Sequence, residues 1–239
     1  MKLSIIIPAF NESATIQQIL KKIYSTKLIH EISKEVILVN DCSTDNTLAL
    51  ALEIKREYSD LKIINHSHNS GKGFAIRTGI ENASGDFIII QDADTEYDPR
   101  EYNLLLQPIL DGFADVVYGS RFSGGNPHRI LFFWHSIGNK FLTFLSNMFT
   151  DLNLTDMETC YKLFRAEIIK SIKLRENRFG FEPEVTAKLS RIKGIRIYEV
   201  GISYYGRTFS EGKKISWVDG FKAIFCVLKY NIFLRNPYR

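Results

Sequence analysis

The sequence predicts an α/β protein with a mostly parallel central sheet flanked by helices. Two observations carry that expectation. Strand-like apolar runs alternate with segments of helical periodicity through the first hundred residues, and three of those runs end on acids. The clearest is Phe87-Ile88-Ile89-Ile90, apolar at every position like a strand buried on both faces, and followed by Gln91-Asp92-Ala93-Asp94-Thr95-Glu96. Ligands of open α/β sheets bind outside the carboxyl ends of the strands. Acids crowded there repel one another unless a cation joins them, and oxygen ligands suit magnesium or manganese bridging to a substrate phosphate. The plainer alternative is a solvated turn of acids.

Ser4 to Ala9 reads as the first strand, ending at Pro8-Ala9-Phe10-Asn11-Glu12. The helix after it keeps Ile16, Ile19, Leu20 and Ile23 at helical spacing, with Ser13 or Asn11 as its cap. Glu35 to Val39 is the second strand and closes on Asn40-Asp41-Cys42-Ser43-Thr44-Asp45. Thr44 or Asp45 would cap a helix from Asn46 to Tyr58, and Leu61 to Asn65 is the third strand. Asn69-Ser70-Gly71-Lys72-Gly73 opens a helix through Ala83, and Ser84-Gly85 turns the chain into the acid-tipped strand. Beyond Asp98-Pro99 the pattern gives a helix over Arg100 to Leu110, then a strand over Ala114 to Tyr118. From Ile130 to Phe149, Trp134, Ile137, Phe141, Leu145 and Met148 share one helical face. Tyr161 to Phe164 reads as a strand, Glu182 to Ile192 as a helix, and Arg196 to Tyr205 as one or two short strands. Trp217, Phe221, Ile224, Phe225, Leu228 and Ile232 make a second apolar stripe. No linker-like boundary interrupts the chain. Residues 1–212 are expected to form one domain, and residues 213–239 a C-terminal amphipathic helical extension.

Composition narrows the function. With 45% hydrophobic and 24% charged residues, the 239-residue chain is that of an ordinary globular protein. A net charge of +4 is too small to imply a nucleic-acid partner. Cys42, Cys160 and Cys226 are odd in number and widely spaced, which argues against a disulfide framework and for a reducing compartment. The first residues run straight into a strand, so no signal peptide is expected and the location expected is cytoplasmic. No window of about 20 residues is free of charge, so no spanning helix is expected either.

Gly71-Lys72-Gly73 lacks the spacing of a nucleotide phosphate loop and reads as a glycine-rich helix start. Its lysine would either meet an anion or simply sit in a tight turn. No G-x-G-x-x-G follows the first strand, which disfavours a dinucleotide site.

Pro8-Ala9-Phe10-Asn11-Glu12, Asn40 through Asp45, and Asp92-Ala93-Asp94 together resemble glycosyltransferase family 2 and its GT-A fold. Gly119-Ser120-Arg121-Phe122 and Arg207 through Lys213 narrow the resemblance to enzymes similar to dolichyl-phosphate mannose synthase and its bacterial polyprenyl-phosphate relatives. The likeness spans about residues 3 to 215, with five motifs in the same order. It implies that Pro8, Phe10 and Glu12 line the base and ribose of a nucleotide-sugar donor, with Val39, Asp41 and Ala93 closing the pocket. Asp92, Asp94 and Glu96 would carry a magnesium or manganese ion on the donor diphosphate. Arg121 would hold an acceptor phosphate bidentately, while Arg207 and Lys213 close over the donor. Asp94, Arg121, Arg207 and Lys213 are thus the residues expected to serve the transfer itself, which inverts the anomeric carbon. The sugar and the base, guanine or uracil, stay open.

The acceptor follows from charge. Like charges at ~4 Å repel by roughly 4 kcal/mol at an effective dielectric of 20, so two anionic reactants meet only among cations. A hydroxyl acceptor needs a general base, for which Asp156 and Glu158 are candidates with Glu182 and Glu184 behind them. A polyprenyl phosphate is already anionic and needs none, and the basic residues favour it. A family 2 enzyme using a glycan hydroxyl with Asp156 as base is the rival, and a non-catalytic sugar-nucleotide-binding protein is a second. From Arg207 onward seven Lys or Arg stand against two acids. A basic, aromatic-rich amphipathic helix suits peripheral contact with the inner face of the cell membrane, or else a core or oligomer contact.

Overall fold

The computed structural model describes residues 1–124, 127, 129–130, 132–207, 217–234 and 236–238. Seven strands form one sheet: β1 (Lys2–Ala9), β2 (Ser33–Asn40), β3 (Lys62–Asn65), β4 (Phe87–Ile90), β5 (Val116–Ser120), β6 (Lys162–Arg165) and β7 (Ile197–Gly201). Their spatial order is β3-β2-β1-β4-β6-β5-β7. Only β6 runs antiparallel to its neighbours, so the sheet is mostly parallel as expected.

The helices are α1 (Ile16–Ser25), α2 (Thr47–Glu57), α3 (Lys72–Asn82), α4 (Tyr102–Leu110), α5 (Phe133–Thr150), α6 (Ala166–Ser171), α7 (Phe181–Leu189) and α8 (Trp217–Leu228). The unbroken apolar strands are explained by two cores, one on each face. Ile5, Ile7, Val36 and Leu38 pack with α1 on one side, while Ile6, Ile37 and Val39 pack with α3 on the other. Gly79 lets α3 approach β1, because a Cβ there would collide with Ile6.

Local details depart from expectation. Thr15, not Ser13 or Asn11, precedes α1 and makes no side-chain cap. Asn11 instead takes a left-handed φ of 52° and accepts from Thr44 N, tying the end of β1 to the loop after β2. At α2 the residue before the helix is Asn46, not Thr44 or Asp45, and makes no side-chain cap; Asp45, one position earlier, accepts from Thr47 N and Thr47 Oγ1. The helix after Asp98 begins as a 3-10 turn at Pro99–Glu101 before α4. Arg196 to Tyr205 yields the single strand β7, and the six-residue α6 is too short to leave a periodic signal.

The largest departure from ordinary packing is α5. Its buried residues are Thr143, Ser146 and Thr150, whereas Trp134 is 78% and Phe144 65% exposed. α8 packs against α5 and α7, and adds the exposed Phe221 and Phe225. A π-helical turn, Lys229–Phe233, follows and exposes Phe233. No described helix is long and apolar enough to cross a membrane. The boundary expected at residues 212–213 lies outside the described residues.

Candidate active site

A cavity of about 530 Å³ opens at the carboxyl ends of β1, β2 and β4. Ten of the expected site residues line it: Pro8, Phe10, Glu12, Asp41, Asp92, Ala93, Asp94, Glu96, Arg121 and Arg207. They come from five separate stretches, because parallel strands deliver their following loops to one edge. Val39 is not among the lining residues. Its side chain points into the α3-side core and is fully buried, so the pocket-closing contact expected of it is absent. Lys213 lies outside the described residues.

Asp41 is pinned. Oδ1 accepts from Ser70 N at 3.0 Å and meets His66 Nδ1 at 2.8 Å, while Oδ2 accepts from Gly71 N at 2.7 Å. His66 in turn is held by Thr78. Most of the carboxylate's hydrogen-bonding capacity therefore shapes the loop before α3, leaving little for a base.

The acids after β4 are each held by a cation. Lys72 Nζ lies 2.6 Å from Asp92 Oδ1 and 2.8 Å from Cys160 Sγ. Burial opposes the Lys72 charge, but Asp92, Cys160 and Glu182 outweigh it and hold the ammonium well above its ordinary value. Arg207 reaches Asp94 at 2.5 Å, Glu12 at 3.2 Å and Glu96 at 3.6 Å. Burial, then the charges of Asp92 and Glu96, push the Asp94 carboxyl up to about 7 despite Arg207. An acid so placed calls for more positive charge than one guanidinium provides.

Glu96 does not join Asp92 and Asp94 in a ligand set. Its oxygens accept from Tyr204 Oη at 2.8 Å and from Arg207 N at 2.6 Å, so it fastens the chain after β7 over the cavity. Among the described residues no three acid, His or Cys side chains converge to hold an ion. The expected three-acid set is corrected to two. That still fits magnesium or manganese, which are commonly held by one or two carboxylates plus substrate phosphate oxygens.

Arg121 forms a bidentate pair with Asp156, Nε to Oδ2 at 2.6 Å and Nη2 to Oδ1 at 2.7 Å. Its guanidinium stacks 5.2 Å from the Tyr204 ring. Asp156 is fully buried and also accepts from Arg121 N and Asn139 Nδ2. A carboxylate with four donors on it is an anchor for Arg121.

Arg178 and Phe179, which line the cavity from the segment before α7, were missed in the sequence. The signal lay in Gly71-Lys72-Gly73. Side chains at Gly71 or Gly73 would overlap the backbone of Asn177 and Glu176, and Gly71 has a φ of 100°. The glycines thus admit a neighbouring strand of chain, while the lysine between them serves Asp92.

The glycosyl transferase family 2 model matches residues 4–173. Dodecaprenyl-phosphate galacturonate synthase of Rhizobium johnstonii is 27% identical over 240 residues, covering 100% of this chain and 69% of that protein. Dolichol-phosphate mannosyltransferase of Pyrococcus furiosus is 25% identical over 218 residues, covering 90% of this chain and 61% of that protein. The fold matches glucosyl-3-phosphoglycerate synthase of Mycobacterium tuberculosis, solved with Mn2+ and UDP, at a TM-score of 0.73 and 18% identity, over 96% of this chain and 80% of that one. The same enzyme was also solved with Mg2+ and UDP. With the matched stretch spanning well over half its length, and with a GT-A fold, the chain belongs to glycosyl transferase family 2 and is a glycosyltransferase.

Proposed function

We propose that the protein moves one sugar from a nucleotide-sugar donor of the GDP-mannose or UDP-glucose type to a polyprenyl phosphate, with inversion at the anomeric carbon. The observation that carries this is the lining of one cavity by Asp92 and Asp94 together with Arg121 and Arg207. Acids and cations gathered there suit two anionic reactants, and the activities for which the Rhizobium and Pyrococcus relatives are named are of this kind.

Pro8, Phe10 and Glu12 would receive the nucleoside. Asp92 and Asp94 would hold a divalent cation, which when bound neutralises charge on the departing diphosphate. Arg121 spends two of its five N–H donors on Asp156 and keeps the others for the acceptor phosphate. The acceptor oxygen attacks without a base, since it carries its charge beforehand. Arg207, now paired with Asp94 and Glu12, would close over the donor, and Lys213 would act with it. The exposed apolar faces of α5 and α8, with the exposed Lys140 and Lys222 among them, suit a peripheral seat on an anionic membrane surface, for which we propose the cytoplasmic face.

Incubation with labelled GDP-mannose or UDP-glucose, polyprenyl phosphate and manganese tests the assignment. Label should enter the organic phase, and Arg121→Ala should cut the rate by about 100-fold or more. No incorporation from any nucleotide sugar would refute it.

A further inference from the structure

The cavity wall next to the acids of β4 is built by the segment entering β6 and by the first turn of α7. The strand order β2-β1-β4-β6 sets the sequence of groups along the cavity. Pro8, Phe10 and Asp41 stand at the β1–β2 end, Asp92 and Asp94 follow, and Glu158, Cys160 and Glu182 come next. A nucleoside at the first position and a diphosphate at the second leave the sugar at the third. Contacts join the second and third positions without a gap, since Lys72 Nζ touches both Asp92 Oδ1 and Cys160 Sγ, and Cys160 Sγ donates to Glu182 Oε1 at 3.3 Å.

Glu158 Oε1 is buried and has no hydrogen-bond partner among the described residues, although the residue lines the cavity. Buried polar atoms in folded proteins are nearly always paired, so one that lines a ligand cavity suits a hydroxyl of the ligand. Burial and the charge of Glu182 push the Glu158 carboxyl up to about 8, which leaves it protonated at neutral pH and able both to donate and to accept.

We propose, on the donor assignment above, that Glu158 and Glu182 form the sugar-reading wall and select sugars without a carboxylate over uronic acids. A sugar hydroxyl satisfies these groups; a sugar carboxylate brings a second negative charge against Glu182. Of the cations nearest these acids, Lys72 pairs with Asp92, Lys162 donates to the carbonyls of Met157 and Thr159, and Arg121 pairs with Asp156, its remaining donors being assigned above to the acceptor phosphate. Arg178 passes over Gly71, at the nucleoside end. A like-charge contact at ~5 Å in a medium of effective dielectric near 20 predicts discrimination of about ten-fold or more.

Calorimetric titration in magnesium of UDP-glucose against UDP-glucuronate, GDP-mannose against GDP-mannuronate, and bare UDP and GDP tests this. The neutral sugar should bind about ten-fold tighter or more, and Glu182→Gln should narrow the ratio to about three-fold. Glu158→Ala should weaken the sugar nucleotide while leaving the bare nucleoside diphosphate unchanged, and it decides the matter if Glu182→Gln fails to fold. Equal binding of the uronate, or a Glu158→Ala variant weakened equally towards UDP and UDP-sugar, overturns the proposal. Binding of neither bare nucleotide nor sugar nucleotide removes the donor assignment itself.

Discussion

Arg121 and Asp156 act as one unit, because the carboxylate is fully buried and the guanidinium nearly so. Removing either partner strands a charge, which in buried pairs costs roughly 3–5 kcal/mol. Asp156→Asn and Arg121→Ala are therefore both expected to lose stability in urea and activity in single-turnover assays. The double variant should lose far less than the two losses added together. An additive double variant would mean that Asp156 works independently, as a base would. Glu158 supplies a pH signature. Its carboxyl titrates at about 8 in the folded protein, above the ordinary carboxylate range, through burial and the Glu182 charge. The folded state thus binds a proton that the unfolded chain has released, so the associated stability is full below pH ~4.5 and disappears as pH rises through 8. Glu158→Gln cannot ionise. Its melting temperature should match the wild type near pH 5 and exceed it at pH 9, by a difference on the order of a few kcal/mol in stability. Parallel curves for the two proteins would place Glu158 in contact with solvent.

Helices α5 and α8 show what a sequence pattern does and does not tell. The stripes on Trp134, Ile137 and Phe141 and on Phe221 and Phe225 were legible as helical periodicity. Which way they face was not, since an apolar stripe reads the same whether it meets a core, a second copy or a lipid surface. Exposure of that stripe, with Thr143 and Ser146 turned inward, gives the orientation. Burying one Phe side chain is worth roughly 1.5–3 kcal/mol, so several inserted together would make the proposed peripheral contact stable. Flotation with vesicles containing anionic lipid should recover the wild-type protein. Phe221→Glu with Phe225→Glu should leave it in the soluble fraction, with nucleotide-sugar binding intact. Equal flotation would point to another surface.

Across the whole molecule, the alternation of strands and helices and the acid-tipped strand ends were readable because local pattern and loop position determine both, whereas the spatial order of the strands came only with the fold. Glu12, Asp92 and Arg121 reached the cavity as their motifs implied. The pairings were not readable. Nothing near Arg121 in the chain announces Asp156, 35 residues on, and Arg178 meets Gly71 only through the fold. Val39 was misplaced because it lies within β2 and packs into the core, while Asp41 lies just past the strand's end, where the loop turns it to the pocket. What emerges is a cavity whose cations are held by acids, and on the proposed function they stay so held until two anions arrive. The most direct measurement compares polyprenyl phosphate with the free polyprenol as acceptors, using the same labelled donor and magnesium. Transfer to the phosphate with none to the alcohol is the expected result, and equal transfer to both would contradict it.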